Sequence, residues 1–242
     1  MDNSDKNVLV SPLNREVVEN LKSYGFTVIT TQPNENLAEP VKYHPDMLVS
    51  YIGKKKIIID KSQIYLCHFL KNSGFDVILS SQDLKHDYPF DIGLNAIILQ
   101  KMIIGLKEHI SKELLQLSKI NNLKLINCRQ GYTKCSCVII SEKVVITSDE
   151  NLKMIFQNLG FDVLKTRNDG IVLNGYNEGF IGGCCGMLHK NHLAVSGELK
   201  LYSDGEKIRL FCKNHNVYIT ELCKGPLNDI GGIVPLYDVF NV

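Results

Sequence analysis

The chain has almost no net charge, no long apolar run and no cysteines at C-x-x-C spacing, and each absence argues against a class of protein. Its 27 lysines and arginines balance 26 aspartates and glutamates, which leaves a formal charge of +1. A charge so close to zero gives no reason to expect nucleic acid or an anionic membrane as a partner. No apolar run has the roughly 20 residues of a membrane-spanning helix. The polar N-terminus, Met1–Lys6, does not fit a secretory signal.

The eight cysteines lack the spacings of a metal or redox site. They form no C-x-x-C motif and no paired arrangement of zinc ligands. We therefore predict no metal ion and no other cofactor. We expect free, mostly buried thiols in a protein of the reducing cytoplasm.

One short pattern recurs along the chain and organises it. The segment 70–81 has the features of the last turn of a helix, a glycine and then a β-branched strand, and 21–31 and 156–166 repeat it. Two looser copies lie at 117–127 and 211–220. A Gly or Asn after each helix is typical of a left-handed C-cap. Repeats of this period indicate a repeat architecture.

Each copy is joined to the next by a hairpin and an amphipathic helix, which indicates five units of the type ββαβ. The first strand of each hairpin is apolar and rich in small residues, as suits a crowded centre. We expect the helices to form an outer ring. The predicted repeats are 14–60, 62–105, 107–147, 149–196, and 197–242 together with 7–12; the predicted helices are 14–24, 62–73, 107–121, 149–159 and 206–214.

The fifth repeat is incomplete at the C-terminus, and a strand that could complete it lies at the other end of the chain. Val8–Ser11 precedes a helix, as the second hairpin strands of the other repeats do. We predict that it pairs antiparallel with the strand near Ile230–Val234, which would remove two open sheet edges. No linker rich in Pro, Gly or Ser separates the repeats. The predicted fold is one α/β domain over 1–242, a five-fold pseudo-symmetric α/β propeller closed by its N- and C-terminal strands.

Equivalent positions recur about every 45 residues, where the inner strand of each repeat is predicted to begin. They are occupied by Asp46, Asp91, Lys134, Gly182 and Asp229. In a closed ring these positions converge at one mouth of the axis, with His44 and Cys135 beside them. Three carboxylates and an ammonium group would then face a small cavity, which is the expected place for a ligand site.

Four motifs resemble those of an uncharacterised bacterial family that has the pentein fold of guanidine-modifying enzymes. They are His44–Met47, Tyr88–Ala96, Gln130–Ser136 and Gly179–Gly183. The resemblance spans nearly the whole chain and implies the five-fold propeller. The wider superfamily includes arginine deiminases, amidinotransferases, dimethylarginine hydrolases and a ribosome anti-association factor that is not an enzyme.

The resemblance implies chemistry on a guanidino group, and the chain contains the residue types for it. A thiolate attacks the guanidinium carbon, a histidine moves protons, and carboxylates hold the planar cation. Asp46 and Asp91 could bind the cation, and His44 could act as acid or base.

The sequence leaves the nucleophile open between Cys184 and Cys135. The pair Gly182-Gly183 before Cys184 resembles the Gly-Gly that precedes the catalytic cysteine of the deiminases. In those enzymes the cysteine belongs to the last repeat and the histidine to the one before. Here the last repeat has Asp229 instead, and no cyclic shift of the repeats restores the order.

We therefore expect a hydrolase or transferase of a small guanidino or amidine compound. Cys184, His44, Asp46 and Asp91 are its catalytic candidates, and Asn95, Lys134, Cys135 and Asp229 its substrate-binding candidates. One alternative is a binding protein for such a ligand, which needs the carboxylates but no aligned thiol. Another is a module that docks on the ribosome or another protein, with side chains plugging the axis.

Overall fold

The computed structural model describes residues 6–99 and 101–240, and short strands alternate with helices throughout this part of the chain. The helices are α1 (Arg15–Ser23), α2 (Pro45–Leu48), α3 (Ile64–Asn72), α4 (Lys112–Ile120), α5 (Glu150–Asn158) and α6 (Gly205–Asn214), with 3₁₀ turns at Glu39–Val41, Gly182–Cys184 and Leu199–Leu201. The strands are β1 (Asn7–Val10), β2 (Thr27–Thr30), β3 (Val49–Gly53), β4 (Lys56–Ile59), β5 (Asp76–Leu79), β6 (Ile97–Leu99), β7 (Met102–Gly105), β8 (Lys124–Asn127), β9 (Cys137–Ser141), β10 (Val144–Thr147), β11 (Asp162–Lys165), β12 (Cys185–His189), β13 (His192–Val195), β14 (Tyr218–Glu221) and β15 (Val234–Pro235).

Within the described residues the strands form five sheets of three strands each. In every sheet an inner strand pairs antiparallel with a middle strand, which pairs parallel with the strand after the next helix. From the inner strand outward, the sheets are β3-β4-β5, β6-β7-β8, β9-β10-β11, β12-β13-β14 and β15-β1-β2. This is the predicted ββαβ pattern. Each sheet contains the hairpin of one predicted repeat and the first strand of the next repeat. A helix lies between that hairpin and that strand along the chain.

The ends of the long helices explain why the sequence repeats itself. Gly25, Gly74 and Gly160 follow helices α1, α3 and α5 with φ of 82°, 80° and 73°. Asn122 and Asn216 follow α4 and α6 with φ of 51° and 58°. Glycine and asparagine tolerate this left-handed conformation, which turns the chain from the helix into the outer strand. The predicted left-handed caps are confirmed in all five copies.

The two ends of the chain meet in one sheet. β1 and β15 are antiparallel, with Val8 opposite Pro235 and Leu9 opposite Val234. The predicted closure is therefore confirmed. The C-terminal strand begins later than expected because Gly231-Gly232, with φ of 76° and 82°, bends the chain before it.

The inner strands all begin later than the sequence predicts, and those predicted starting residues were wrong. The strands begin at Val49, Ile97, Cys137, Cys185 and Val234. In the first unit the cause is Pro45, whose fixed φ starts a helical turn that continues to Leu48. The polar residues predicted to open the strands therefore lie in the loops and turns before them, where their side chains are not restricted to strand alternation.

Apolar residues fill the space between the sheets and their helices. The largest buried cluster joins strands of two neighbouring sheets with α6 and includes Val138, Ile146, Cys184, Leu193 and Ile208. All eight cysteines are buried and free, as predicted. In the described residues, no helix is both long and apolar enough to cross a bilayer.

Candidate functional site

Helix α2 carries the first two polar residues of the candidate site. Pro45 occupies the first helical position, where its missing N–H has no intrahelical partner to lose, and His44 and Asp46 flank it. The N–H of Asp46 donates to the carbonyl of Gly231 at 3.1 Å, which ties α2 to the C-terminal segment. The side chains of His44 and Asp46 are only 5% and 2% exposed. An imidazole and a carboxylate are thus fixed in the interior, beside the C-terminal segment.

The thiol of Cys135 is held between a carboxylate and an amide. Its Sγ donates to Oδ2 of Asp46 at 2.9 Å, and Nδ2 of Asn95 donates to Sγ at 2.8 Å. The same amide donates to the carbonyl of Asp46 at 3.2 Å, while Oδ1 of Asn95 accepts from the N–H of Lys134 at 2.8 Å. The side chain of Asn95 therefore connects the loop before β9 to α2 by hydrogen bonds. It brings four of the predicted site residues together.

Asp229 completes the group from the segment before β15. Its Oδ2 accepts from the N–H of Phe180 at 2.8 Å, and its Oδ1 accepts from the N–H of Gly231 at 3.1 Å. Nδ1 of His44 lies 3.7 Å from Oδ1 of Asp229 and 3.9 Å from Oδ1 of Asp46. His44, Asp46, Cys135 and Asp229 are called the axial cluster below.

Glycines allow the backbone to close around the axial cluster. A Cβ at Gly183 would clash with Oδ1 of Asp229, and a Cβ at Gly231 would lie 2.5 Å from Cβ of His44. Only a residue without a side chain leaves room for these contacts. The Gly-Gly pairs of the sequence thus serve the packing of the polar residues.

Burial and neighbouring charges determine how the cluster is protonated. Burial, and then the carboxylates of Asp46 and Asp229, raise the pKa of the Cys135 thiol well above its ordinary value. Burial also raises the pKa of Asp229, an effect that His44 opposes. Burial lowers the pKa of Lys134, while Asp46 opposes that shift. Cys135 is therefore a neutral thiol near pH 7, and an additional positive charge beside the carboxylates would favour its thiolate.

A cavity of about 550 Å³ lies among the five inner strands. Residues of those strands and of their hairpin turns form its walls, and Asp46 and Lys134 border it where the inner strands begin. Cys135 and Cys184 are not among the residues that line it. At that end of the cavity a ligand would meet a carboxylate and an amino group.

The sequence as a whole matches one protein family. The model of a family of unknown function (DUF6873) matches residues 9–234. The chain belongs to this family. No curated protein matches it.

Solved structures of guanidine-modifying enzymes share the fold. SxtG, an amidinotransferase from Microseira wollei in the saxitoxin biosynthetic pathway, is 13% identical with a TM-score of 0.59, over 97% of this chain and 96% of that one. The inosamine-phosphate amidinotransferase of Streptomyces griseus is 14% identical with a TM-score of 0.60, over 96% and 93%. A mutant of DDAH from Pseudomonas aeruginosa in complex with citrulline is 9% identical with a TM-score of 0.58, over 95% and 96%. The chain therefore has the pentein fold, as the sequence predicts.

Asp91, predicted to act with Asp46, has a different set of contacts. Its Oδ2 accepts from the hydroxyl of Tyr132 at 2.6 Å, and its Oδ1 is buried with no hydrogen bond from the part of the chain that the structure describes. Burial raises the pKa of Asp91, and the Tyr132 hydrogen bond opposes that shift. Among the described residues, no hydrogen bond or ion pair joins Asp91 to the axial cluster.

Tyr132, the hydrogen-bond partner of Asp91, was not among the predicted site residues. Its ring lies between those of Tyr88 and Phe180, with centroids 5.4 and 5.6 Å away. The signal was present, since Tyr132 belongs to the motif Gln130–Ser136, but a Gly-Tyr-Thr sequence has the features of an ordinary turn.

Cys184 lies outside the axial cluster in the apolar core. Its side chain is fully buried, and its Sγ donates to the carbonyl of Phe180 at 3.4 Å. Burial, and then the charge of Asp229, raise its pKa well above the ordinary value. No acid or base among the described residues is in hydrogen-bond contact with this thiol. Of the two candidate nucleophiles, Cys135 is therefore the one whose thiol contacts a carboxylate.

Proposed function

We propose that the protein is a hydrolase or transferase of a small guanidino or amidine compound, with Cys135 as the nucleophile. The proposal rests on the 2.9 Å contact between the thiol and Oδ2 of Asp46. A thiol becomes a strong nucleophile when a neighbouring base takes its proton, and a carboxylate at this distance is within reach. Cys184 is the less suitable candidate because its thiol contacts a backbone carbonyl.

The buried carboxylates suit a guanidinium cation. Asp46 and Asp229 can accept charge-assisted hydrogen bonds from its planar N–H groups. Because the same two carboxylates help to raise the pKa of Cys135, a bound cation would offset their charge and favour the thiolate. Substrate binding and activation of the nucleophile are then one event. Asp91 and Asn95 are proposed as further contacts of the substrate.

In the proposed reaction, Sγ of Cys135 bonds to the central carbon of the guanidino group as its proton passes to Asp46. The bond from that carbon to the leaving amine breaks, and the amine departs with the proton relayed through His44. The resulting intermediate is an amidino group bonded to the sulfur of Cys135. In a hydrolase, water attacks this carbon, releases a urea-type product and returns a proton to the thiol. In a transferase, an acceptor amine takes the place of water.

The structural neighbours support this class of reaction. Their names describe amidinotransferases, a dimethylarginine dimethylaminohydrolase and an agmatine deiminase. Identities of 9–14% connect these proteins to the chain through the fold, so the substrate has to be found by experiment.

Labelling with 2-chloroacetamidine, a thiol-alkylating amidine, tests the nucleophile directly. We expect one adduct, located by peptide mass spectrometry at Cys135, and slower labelling when an alkylguanidine is present. Cys135→Ser should abolish the adduct, and the matched control Cys184→Ser should retain it. Labelling that is equal at Cys184, or absent at Cys135, would show the assignment to be wrong.

A second function, binding of the same class of ligand without turnover, is favoured by the cavity. Asp46 and Lys134 border it, whereas Cys135 does not line it. An open cavity also differs from the plugged axis expected of a docking module. Calorimetric titration of Cys135→Ser and the wild type with alkylguanidines separates the two candidates. Equal binding, with no release of amine or ammonia by the wild type, would favour the binding protein.

A further inference from the structure

Two buried carboxylates and a buried imidazole meet in the axial cluster without hydrogen bonds between them. The ligand atoms of His44, Asp46 and Asp229 all lie within 4.8 Å of one another, and all three residues are buried. The distances from Nδ1 of His44 to the two carboxylate oxygens, 3.9 and 3.7 Å, are too long for hydrogen bonds. Something larger than a proton fits between these groups.

The individual atoms point to the same gap. The side chain of Asp46 is only 2% exposed, and none of the described residues forms a hydrogen bond with its Oδ1. The imidazole of His44 is 5% exposed, and its Nδ1 lies near both carboxylates without a hydrogen bond to either. Buried polar groups are normally satisfied, and buried charges are paired or coordinate metals. Oδ1 of Asp229 accepts one N–H and keeps a second lone pair.

We propose that a divalent transition-metal ion, with Zn²⁺ as the first probe, binds between Nδ1 of His44, Oδ1 of Asp46 and Oδ1 of Asp229. Zinc accepts nitrogen, oxygen and sulfur ligands at about 2.0–2.3 Å, which places ligand atoms of a tetrahedral site roughly 3.3 Å apart. The 3.7 and 3.9 Å separations would have to close by roughly half an ångström, and all three ligand atoms already lie within 4.8 Å of one another. Asp46 borders the axial cavity, which gives the ion a route.

The fourth position has a natural occupant. Sγ of Cys135 donates to the other oxygen of Asp46 at 2.9 Å, so the thiol lies next to one of the proposed ligands and a change of its own rotamer could bring it to the ion. Water can fill the position instead. Two carboxylates, an imidazole and a nearby sulfur favour zinc over magnesium or calcium, which prefer oxygen ligands alone.

Zinc titration of the chelator-treated protein in competition with a chromophoric chelator tests the site. We expect one tightly bound Zn²⁺ per chain and a higher melting temperature with zinc. Asp46→Asn keeps the shape of the side chain and an oxygen for the thiol, and it should weaken zinc binding at least about 100-fold. His44→Gln should do the same. His215→Gln is the matched control, because His215 contacts Asp162 at 2.9 Å outside the cluster, and it should bind zinc as the wild type does.

The outcomes separate this site from the proposed reaction. Zinc binding that is absent in the wild type, or unchanged in both cluster variants, would overturn the metal site and indicate adventitious binding at most. If a cluster variant fails to fold, zinc-induced protection of Cys135 from a small haloacetamide in the wild type provides the second measurement, and its absence would count against the site. Labelling by 2-chloroacetamidine is carried out with chelator present, so either proposal can fail while the other holds.

Discussion

Replacing Gly231 by alanine should destabilise the protein through two separable effects. Gly231 has a φ of 76°, and a residue with a Cβ loses about 1–2 kcal/mol in this left-handed conformation. Its Cβ would also lie 2.5 Å from both Cα and Cβ of His44 and 2.6 Å from Cγ. Forcing a methyl group into such a site typically costs about 1–3 kcal/mol. The sum is about 2–5 kcal/mol, a large part of the roughly 5–15 kcal/mol by which a domain is stable.

A second glycine separates the steric effect from the conformational one. Gly74 has a φ of 80°, and no atom lies within 4 Å of a Cβ placed there. Gly74→Ala should therefore lose only the conformational part, about 1–2 kcal/mol. Urea denaturation of both variants at pH 7 measures the difference. If Gly231→Ala is no less stable than Gly74→Ala, the claim that the backbone is packed tightly against His44 is wrong.

Three further predictions test other parts of the structure. Asp91→Asn should raise stability at pH 7, because burial raises the pKa of this carboxyl and so disfavours its charged form. The penalty applies above the raised folded-state pKa and disappears below the unfolded value of about 3.9, so urea denaturation at pH 7 and near pH 3.5 should show the gain only at pH 7. Leu9→Ala, at a fully buried residue of the closing sheet, should lower the free energy of unfolding by about 2–5 kcal/mol, and a loss below 1 kcal/mol would contradict its place in the core. Asn95→Ala should cost about 2–4 kcal/mol, since it removes the acceptor of two backbone N–H groups. It should also change the rate of Cys135 alkylation, because Nδ2 of Asn95 donates to that thiol. If Asn95 only fills space, the alkylation rate should stay the same.

The architecture could be predicted from the sequence because local signals repeat in it. Glycine or asparagine after each helix marks a left-handed cap, and that conformation depends on the residue itself more than on its neighbours. The residues at which helices and strands begin were less predictable, because capping residues and the apolar pattern can favour different starting points. Helix α4 begins at Lys112 because Oγ of Ser111 accepts from the N–H of Leu114 at 3.3 Å, whereas the apolar pattern suggested a start at Lys107.

The site could be predicted only as a set of residues near one another. The five-fold backbone brings His44, Asp46, Lys134 and Cys135 near the axis whatever rotamers their side chains adopt. The regular spacing of these residues in the sequence is enough to predict this proximity. Pairing depends on side-chain direction in turns before the inner strands, where neither the helical nor the strand period applies. The sequence therefore could not show that the thiol faces Asp46, or that Asp91 faces Tyr132.

Closure of the ring and the axial cluster share one segment of the chain, the segment that carries Asp229 and leads into β15. The segment that carries Asp229 is bonded to two different units, because the N–H of Asp46 donates to the carbonyl of Gly231 and the N–H of Gly232 donates to that of Gly183 at 2.8 Å. The same segment leads into β15, which pairs with β1 from the other end of the chain. A substitution that weakens this pairing should therefore lower stability and separate the carboxylates together. Leu9 belongs to β1 and packs in the same buried cluster as Cys135 and Val234. Leu9→Ala should therefore weaken zinc binding as well as stability, and unchanged zinc binding would show that the axial cluster does not depend on the closing sheet.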